Sequence, residues 1–362
     1  MFTEQTSAEV ILFFILYGIT GVVPLIAAIY LLLRRGNAFA PGVTPPVRLR
    51  HWAAAFFAVA SLGHVWWYLF YMYSRDLYSV GYLVLAMVDC VLMFATFAGM
   101  LFAMLQDRRR SVWPALVAMI PFVVLVVVYM VNPSSLLQQF AAGYLVLLGL
   151  LFTGYMVFAI RQYGRWLNDN YADLENKKVW LCQAVALVCM LLFVLYVLAT
   201  DMVLIWIIHI VELVLVGLLL WRVETLPQLD TPLVEQRVQQ PQQSLTYASN
   251  LEYLLANRCG ATQLYLQHDL TLQQLAQAIG TNRYYLSQYF SRQGTTYNAY
   301  INDLRINHFI TLYHEAVAAR QPIIAQQLAN ESGYRSYSTF SLAFKHRMGQ
   351  TVTAWMRNTG NQ

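Results

Sequence analysis

The first 221 residues consist of long apolar runs separated by short polar segments. Seven of these runs are long enough to cross about 30 Å of hydrocarbon as helices that rise about 1.5 Å per residue. They cover residues 10–33, 52–73, 80–105, 112–131, 138–160, 179–200 and 202–221. Only Asp201 separates the last two runs, and one helix through both would be about 65 Å long, which is too long for a single crossing. The pattern therefore predicts a tight hairpin at Asp201 and a seven-helix transmembrane bundle.

After the last apolar run the pattern becomes that of a soluble protein. Residues 222–249 are rich in Gln and Pro and have no sustained apolar period, which is typical of a linker. From residue 250 to 362, apolar residues recur at helical spacing in short amphipathic stretches, the first of which begins at Leu251. We therefore predict an all-α protein with a transmembrane domain over residues 1–221, a linker over 222–249 and a soluble helical domain over 250–362.

One stretch of the soluble domain has the pattern of a helix-turn-helix. Thr271 followed by Gln274 fits a capping box, so a helix is predicted to start there. This helix is predicted to end at Gly280, and a second short helix follows over residues 282–292. Two short helices joined by a glycine turn are typical of a helix-turn-helix, and a distorted copy follows over residues 322–344.

Composition and charge favour lipid as the solvent of the first domain. The chain is 59% hydrophobic and 11% charged, whereas soluble proteins carry about 25% charged residues. Twelve basic residues lie on one side of the predicted spans, and only Arg75 lies on the other. The twelve are Arg34, Arg35, Arg48, Arg50, Arg108, Arg109, Arg110, Arg161, Arg165, Lys177, Lys178 and Arg222. Because basic residues accumulate on the cytoplasmic side, the N-terminus is predicted outside and the C-terminus in the cytoplasm.

Three groups of residues in the soluble domain match the pattern of one known family. They are Leu275, Ala276, Gly280, Tyr285, Leu286 and Phe290; then Tyr300, Ile301, Leu304, Arg305 and Ile306; then Leu328, Ala329, Gly333, Tyr334, Phe340, Phe344, Lys345, Gly349 and Thr351. Through them, residues 251–357 resemble the DNA-binding domain of the AraC/XylS family of bacterial transcription regulators. The resemblance implies double-stranded DNA as the partner. Leu342 departs from the pattern, since the family often carries a polar base-reading residue there, and we expect apolar contact with a thymine methyl group.

Both predicted recognition helices carry side chains that suit DNA. From residue 244 onward there are nine basic and five acidic residues, a net charge of +4. Base readout is assigned to Asn282, Tyr284, Ser287, Gln288, Tyr337, Ser338 and Ser341. Phosphate contacts are assigned to Arg283, Arg292, Arg335, Lys345, His346 and Arg347. A basic helical face is by itself usually only a solvated face, so the doubled motif is the main support for DNA binding.

A central helix is predicted over residues 297–318, with a length of about 33 Å. This resembles the rigid bridge of the family, which places two recognition helices in successive major grooves about one helical turn apart. A single chain could therefore read a bipartite site. Arg305 on this helix has two interpretations, a contact with DNA or a brace between the halves of the domain.

Four ionisable residues lie within the predicted spans: His64, Asp89, His209 and Glu212. Because such groups are costly in lipid, they are candidates for an intramembrane ligand, proton or metal site. The alternative is polar pairing that fixes the bundle, and we favour it because the sequence alone does not show that the four side chains converge. Their scattered positions assign no metal, and no cofactor is predicted.

The leading hypothesis is a membrane-integral, one-component transcription regulator in the bacterial cytoplasmic (inner) membrane, controlled by a small-molecule or envelope signal. The alternative is a membrane receptor or transporter whose C-terminal helical domain binds a protein partner. No enzyme is expected, because P-loop, GxGxxG, GxSxG, HExxH and paired CxxC patterns are absent. Beside DNA and the lipid bilayer, a homodimer and contact with the transcription machinery stay open.

Overall fold

The structure, a computed structural model, describes residues 7–73, 80–198, 202–229 and 251–360. The helices before residue 226 are α1 (Ser7–Leu33), α2 (Val47–Tyr73), α3 (Val80–Met104), α4 (Trp113–Ala118), α5 (Ile120–Val131), α6 (Ser135–Asn170), α7 (Trp180–Leu198) and α8 (Met202–Thr225). Those that follow are α9 (residues 251–255), α10 (Leu272–Ile279), α11 (Arg283–Arg292), α12 (Tyr297–Ala318), α13 (Ala325–Glu331), α14 (Tyr337–Met348) and α15 (Val352–Gly360). The predicted all-α class is confirmed.

By packing, the chain divides into two compact units. The first consists of Met1–Tyr163 with Asn176–Thr231, and the second of Gly164–Glu175 with Pro232–Gln362. The end of α6 and the residues up to Glu175 therefore belong with the C-terminal residues, whereas the sequence pattern predicts them to be part of the transmembrane domain. The physical reason is burial, because Ala172 is 3% exposed within a core of the second unit.

Six helical segments, one of them the consecutive pair α4 and α5, are long and apolar enough to cross a membrane within the described part of the chain. They are Ala8–Leu33, Val47–Phe70, Val80–Met104, Trp113–Val131, Ser135–Asn170 and Trp206–Thr225. Large apolar side chains cover their outer faces, such as Ile26 at 60% exposure and Leu151 at 62%. Apolar surface on this scale is typical of helices that lipid surrounds.

These six helices match six of the seven predicted spans, and the remaining span is α7. α7 has 19 residues, close to the roughly 20 that a crossing needs, and Trp180–Leu192 is the part of it that is described with side chains. α7 and α8 are separate helices that pack against each other, in agreement with the predicted division of this long apolar stretch. Asp201, where the hairpin was predicted, lies outside the described residues. The count of seven spans stays a prediction.

The predicted span over residues 112–131 consists of two helices, α4 and α5, which meet at Met119. Pro121 is the second residue of α5. A proline in this position lacks an N–H that would have no helical partner anyway, but its ring disfavours continuation of the helix before it. The sequence pattern located the apolar run but not this break.

Polar side chains from several helices meet at one end of the first unit. Arg34, which follows α1, forms an ion pair with Glu224 of α8, with 2.7 Å between Nη1 and Oε2. Arg222 of α8 donates from Nη2 to the carbonyl oxygens of Asn176 and Lys178 at 2.9 and 2.7 Å. The end of α1, the end of α8 and the chain before α7 therefore lie together.

The chain after α8 is fixed at the same end. α8 continues to Thr225, into the segment that sequence analysis interpreted as a linker. The N–H of Leu229 donates to Oε1 of Gln106 at 2.8 Å, and Nε2 of Gln106 donates to the carbonyl oxygen of Pro227 at 3.0 Å. The rest of the predicted linker, residues 230–250, lies outside the described residues.

The second unit has two hydrophobic cores that share one helix. Leu275 of α10, Leu286 of α11 and Ile301 of α12 belong to the first core. Phe309 of α12 and Phe340 of α14 belong to the second. α12 thus runs through both cores and supports both motifs, and its bounds confirm the predicted central helix.

Candidate nucleic-acid interface

Two caps and one glycine define the first helix-turn-helix. Oγ1 of Thr271 accepts the N–H of Gln274 at 3.2 Å, and Oε1 of Gln274 accepts the N–H of Thr271 at 2.9 Å, which confirms the predicted capping box. Gly280 ends α10 with φ at +79°, a left-handed conformation that glycine adopts without steric cost. Asn282 then caps α11 by accepting the N–H of Tyr285 at 3.0 Å.

The second motif, α13 and α14, has a more crowded turn. Gly333 has φ at +94°, and a Cβ atom there would lie 2.8 Å from Cα of Leu266 and 3.0 Å from its carbonyl oxygen. Glycine is therefore the residue that fits this turn. Ser336 caps α14 by accepting the N–H of Thr339 at 3.3 Å, and Gly349 ends the helix with φ at +71°.

Arg305 connects the two halves of the domain. It is 1% exposed; its Nε donates to the carbonyl oxygen of Tyr265 at 2.7 Å and its Nη2 to that of Gln267 at 2.6 Å. Its guanidinium carbon lies 5.5 Å from the centre of the Tyr334 ring. Burial lowers the pKa of this guanidinium, and the carbonyl oxygens and the aromatic ring offset the loss of water. Of its two interpretations, these contacts favour the brace.

The residues assigned to base readout lie on or beside the recognition helices α11 and α14. Tyr284, Ser287 and Ser338 are exposed, and Gln288, Tyr337 and Ser341 are half-buried. The ring of Tyr337 packs on Phe340 with 5.8 Å between centroids, so part of this side chain belongs to the second core. Asn282 has a structural role that the assignment did not include, since its side-chain oxygen caps α11. Leu342 is 67% exposed on α14.

The residues assigned to phosphate contacts flank the same two helices. Arg292, Lys345 and His346 are exposed. Arg335 lies 3.4 Å from Asp269 in an exposed pair, which contributes little to stability. Nε of Arg347 lies 2.9 Å from Oδ1 of Asp303, so this arginine is paired with α12.

The second unit also brings residues 164–175, a segment that sequence reasoning missed, to the recognition helices. Oδ1 of Asn170 accepts two hydrogen bonds from the guanidinium of Arg283, one of them from Nε at 2.8 Å. Oγ1 of Thr339 donates to Oε2 of Glu175 at 3.2 Å. No periodicity or motif marks the segment. Its one signal is charge, since it carries three acidic residues and one basic residue in a chain whose C-terminal domain is basic.

Three of the four ionisable residues predicted within the spans come together. Nε2 of His64 lies 3.5 Å from Oε2 of Glu212, and the rings of His64 and His209 lie 5.8 Å apart. The fourth, Asp89, accepts a hydrogen bond from Nε1 of Trp67 at 3.2 Å. Within the described ranges, no group of three or more His, Cys, Asp or Glu side chains is arranged to hold a metal ion.

Residues 275–358 match a family model described as a helix-turn-helix domain, the AraC-type double motif. The match covers most of the first motif, all of α12 and the whole second motif. No curated protein and no solved structure matches the chain. The resemblance to AraC/XylS regulators is thus confirmed for the C-terminal domain, which is a DNA-binding domain of the kind that regulates transcription.

Proposed function

We propose that this protein is a membrane-integral transcription regulator that binds a bipartite DNA site through both helix-turn-helix motifs of one chain. The match of residues 275–358 to the AraC-type domain is the observation that carries the proposal. α12 between the motifs has 22 residues, or about 33 Å at 1.5 Å per residue. This is close to the roughly 34–36 Å that separates successive major-groove sites on one face of DNA.

The chemistry of the two helices supports a division of roles. In a helix-turn-helix, residues near the N-terminus of the recognition helix contact base edges, and flanking basic residues contact phosphates. Tyr284, Ser287 and Gln288 of α11 and Ser338 and Ser341 of α14 are the proposed base readers. The proposed phosphate contacts are Arg283, Arg292, Arg335, Lys345, His346 and Arg347.

Six long apolar helices support insertion into a bacterial cytoplasmic membrane. Seven crossings are further supported by the contacts of Arg34 and Arg222. These contacts bring three places together: the end of α1, the chain before α7 and the end of α8. α7 therefore starts at this end of the unit and α8 finishes there, so the two helices must run in opposite directions. With the basic residues on the cytoplasmic side, the N-terminus is outside and the DNA-binding domain is in the cytoplasm.

A sensing role for the membrane domain rests on His64, His209 and Glu212. A small polar ligand or a proton that bound there would change the interaction between α2 and α8, which carry these residues. Such a signal alters DNA binding only if it favours one of two states of the protein over the other.

Chromatin immunoprecipitation with the intact protein tests the proposal. We expect enrichment of a limited set of sites, each with two half-sites whose centres are about 10 base pairs apart. Capture of a protein partner without any enriched DNA site would instead favour the receptor or transporter alternative.

Replacing Gln288 and Lys345 separately by Ala tests the two roles. We expect Gln288→Ala to weaken the specific site by about 1–3 kcal/mol and to relax the preference at one base pair, with little effect on random DNA. Lys345→Ala should weaken specific and random duplexes alike and reduce the salt slope by about one, because one phosphate contact is lost. Anisotropy titrations of the full chain at several salt concentrations measure both effects.

Gln277→Ala is the matched control for Gln288→Ala, since Gln277 is an exposed glutamine on α10 and not on a recognition helix. It should leave base preference unchanged. Equal losses for Gln288→Ala and Lys345→Ala on both duplexes would contradict the assigned roles.

A further inference from the structure

Residues 164–175 contact the first turns of both recognition helices. Arg283 is the first residue of α11, and its Nε and Nη2 both donate to Oδ1 of Asn170. Thr339 is the third residue of α14, and its hydroxyl donates to Oε2 of Glu175. These turns are the parts of a recognition helix that enter the major groove. The segment therefore holds the guanidinium of Arg283, a proposed phosphate contact, and covers the first turn of each recognition helix.

The groups that the segment presents resemble those of DNA. One edge of the Arg283 guanidinium is satisfied by an oxygen acceptor, as it would be by a phosphate. α14 has no acidic residue in its own first turn, and the carboxylate of Glu175 takes a position there where a phosphate would be favoured. The segment contains three acidic residues, Asp169, Asp173 and Glu175, and one basic residue, Arg165. Its net charge is therefore negative, like that of DNA.

Between these two contacts, a few bonds hold the segment to the domain. The N–H of Ala172 donates to the carbonyl oxygen of Leu270 at 3.2 Å. Nδ2 of Asn298, in the first turn of α12, donates to the carbonyl oxygens of Tyr171 and Ala172 at 3.1 and 2.7 Å. The methyl group of Ala172 is the part of the segment that enters the first core.

We infer that residues 164–175 are an intrachain competitor of DNA, which must leave the recognition helices before both can enter the major groove. The inference rests on the proposed DNA binding. Residues 164–170 are the last turns of α6, and α7 begins at Trp180, so the segment is continuous with two helices of the proposed membrane domain. A rearrangement of those helices would shift the balance between the bound and released segment. The apparent affinity for DNA then follows the released fraction.

Asn170→Ala and Glu175→Ala test the competition in the full chain held in lipid nanodiscs. The probe is a labelled DNA duplex, selected from a pool of random sequences by its binding to the variant that carries both substitutions. Each single variant should bind this duplex roughly threefold more tightly than the unaltered protein, and the double variant about tenfold, because each removes an acceptor that holds the segment. Glu315→Ala is the control, because it removes one carboxylate, as Glu175→Ala does, but at an exposed site on α12. Its affinity for the duplex should stay within about twofold of that of the unaltered protein.

Hydrogen exchange of the unaltered protein gives a second measurement. DNA should speed exchange at residues 164–175 and slow it in α11 and α14. Unchanged or weaker binding by the double variant, or slower exchange in the segment on DNA, would overturn the inference and leave the proposed function standing. If no variant binds any duplex, the proposed function fails as well.

Discussion

Single residues fix the turn of the second motif. Gly333 combines a φ of +94° with a direct approach to the backbone of Leu266. Its carbonyl oxygen lies 3.0 Å from Nδ1 of His268, so the turn also contacts the chain just before α10. Arg305 packs into the same junction, with Nε 3.1 Å from the position that a Cβ of Gly333 would take. The two halves of the domain are thus held together where there is no space for another atom.

Gly333→Ala should destabilise the domain by about 2–5 kcal/mol. About 1–2 kcal/mol comes from the left-handed backbone, and about 1–3 kcal/mol from the added methyl group in a filled space. Hydrogen-exchange protection of α12 in the full chain measures the loss. Gly294→Ala is the matched control. Gly294 also has a left-handed backbone, with φ at +65°, but no atom of the described residues lies within 4 Å of the place its Cβ would take. This variant should therefore lose only the part of the stability that comes from the left-handed backbone. Equal losses for both variants would argue against the close approach.

At the scale of helices, the sequence predicts what local patterns determine. Thr271 and Gln274 are three residues apart, so the start of α10 follows from their spacing alone. The break at Met119 was missed because membrane helices often tolerate proline, and the pattern does not say which proline interrupts one. Arg283 was predicted to face phosphate, but its contact with Asn170 lies 113 residues away in the chain, beyond any local pattern.

The proposed separate crossings of α7 and α8 give a prediction at this scale. A periplasmic phosphatase fused after residue 201 should be active, and a fluorescent protein fused after residue 229 should fluoresce, because two crossings put these positions on opposite sides. Fusions after Asn132, between α5 and α6, serve as the outside reference. An inactive phosphatase at residue 201, with an active one at Asn132, would reduce α7 and α8 to one crossing.

At the scale of the whole molecule, the first unit contains a polar cluster that the proposed DNA binding does not use. His64 and Glu212 lie on different helices, with 3.5 Å between Nε2 of His64 and Oε2 of Glu212. A pair of this kind either fixes the packing of two helices or responds to a ligand or proton. The two roles differ in what happens to transcription when the pair is broken.

Glu212→Gln keeps the shape of the side chain and removes its ability to ionise. If the cluster senses a signal, transcription from the bound sites should change about fivefold or more, the usual scale of coupling between two sites. Reporter output is measured at equal amounts of protein in the membrane. Met100→Leu, a change of similar volume at a buried position of the same domain, should have no effect. Unchanged output for Glu212→Gln would assign the pair to packing.

The second unit is assembled from two separate parts of the chain, and these parts are synthesised at different times. Residues 164–175 leave the ribosome long before residues 251–360 exist, whereas each helix-turn-helix closes through local contacts that form early. A protease that cut between residues 229 and 251 would release a fragment with both motifs and without the proposed competitor. Such a fragment would bind DNA constitutively, so proteolysis would act as irreversible activation.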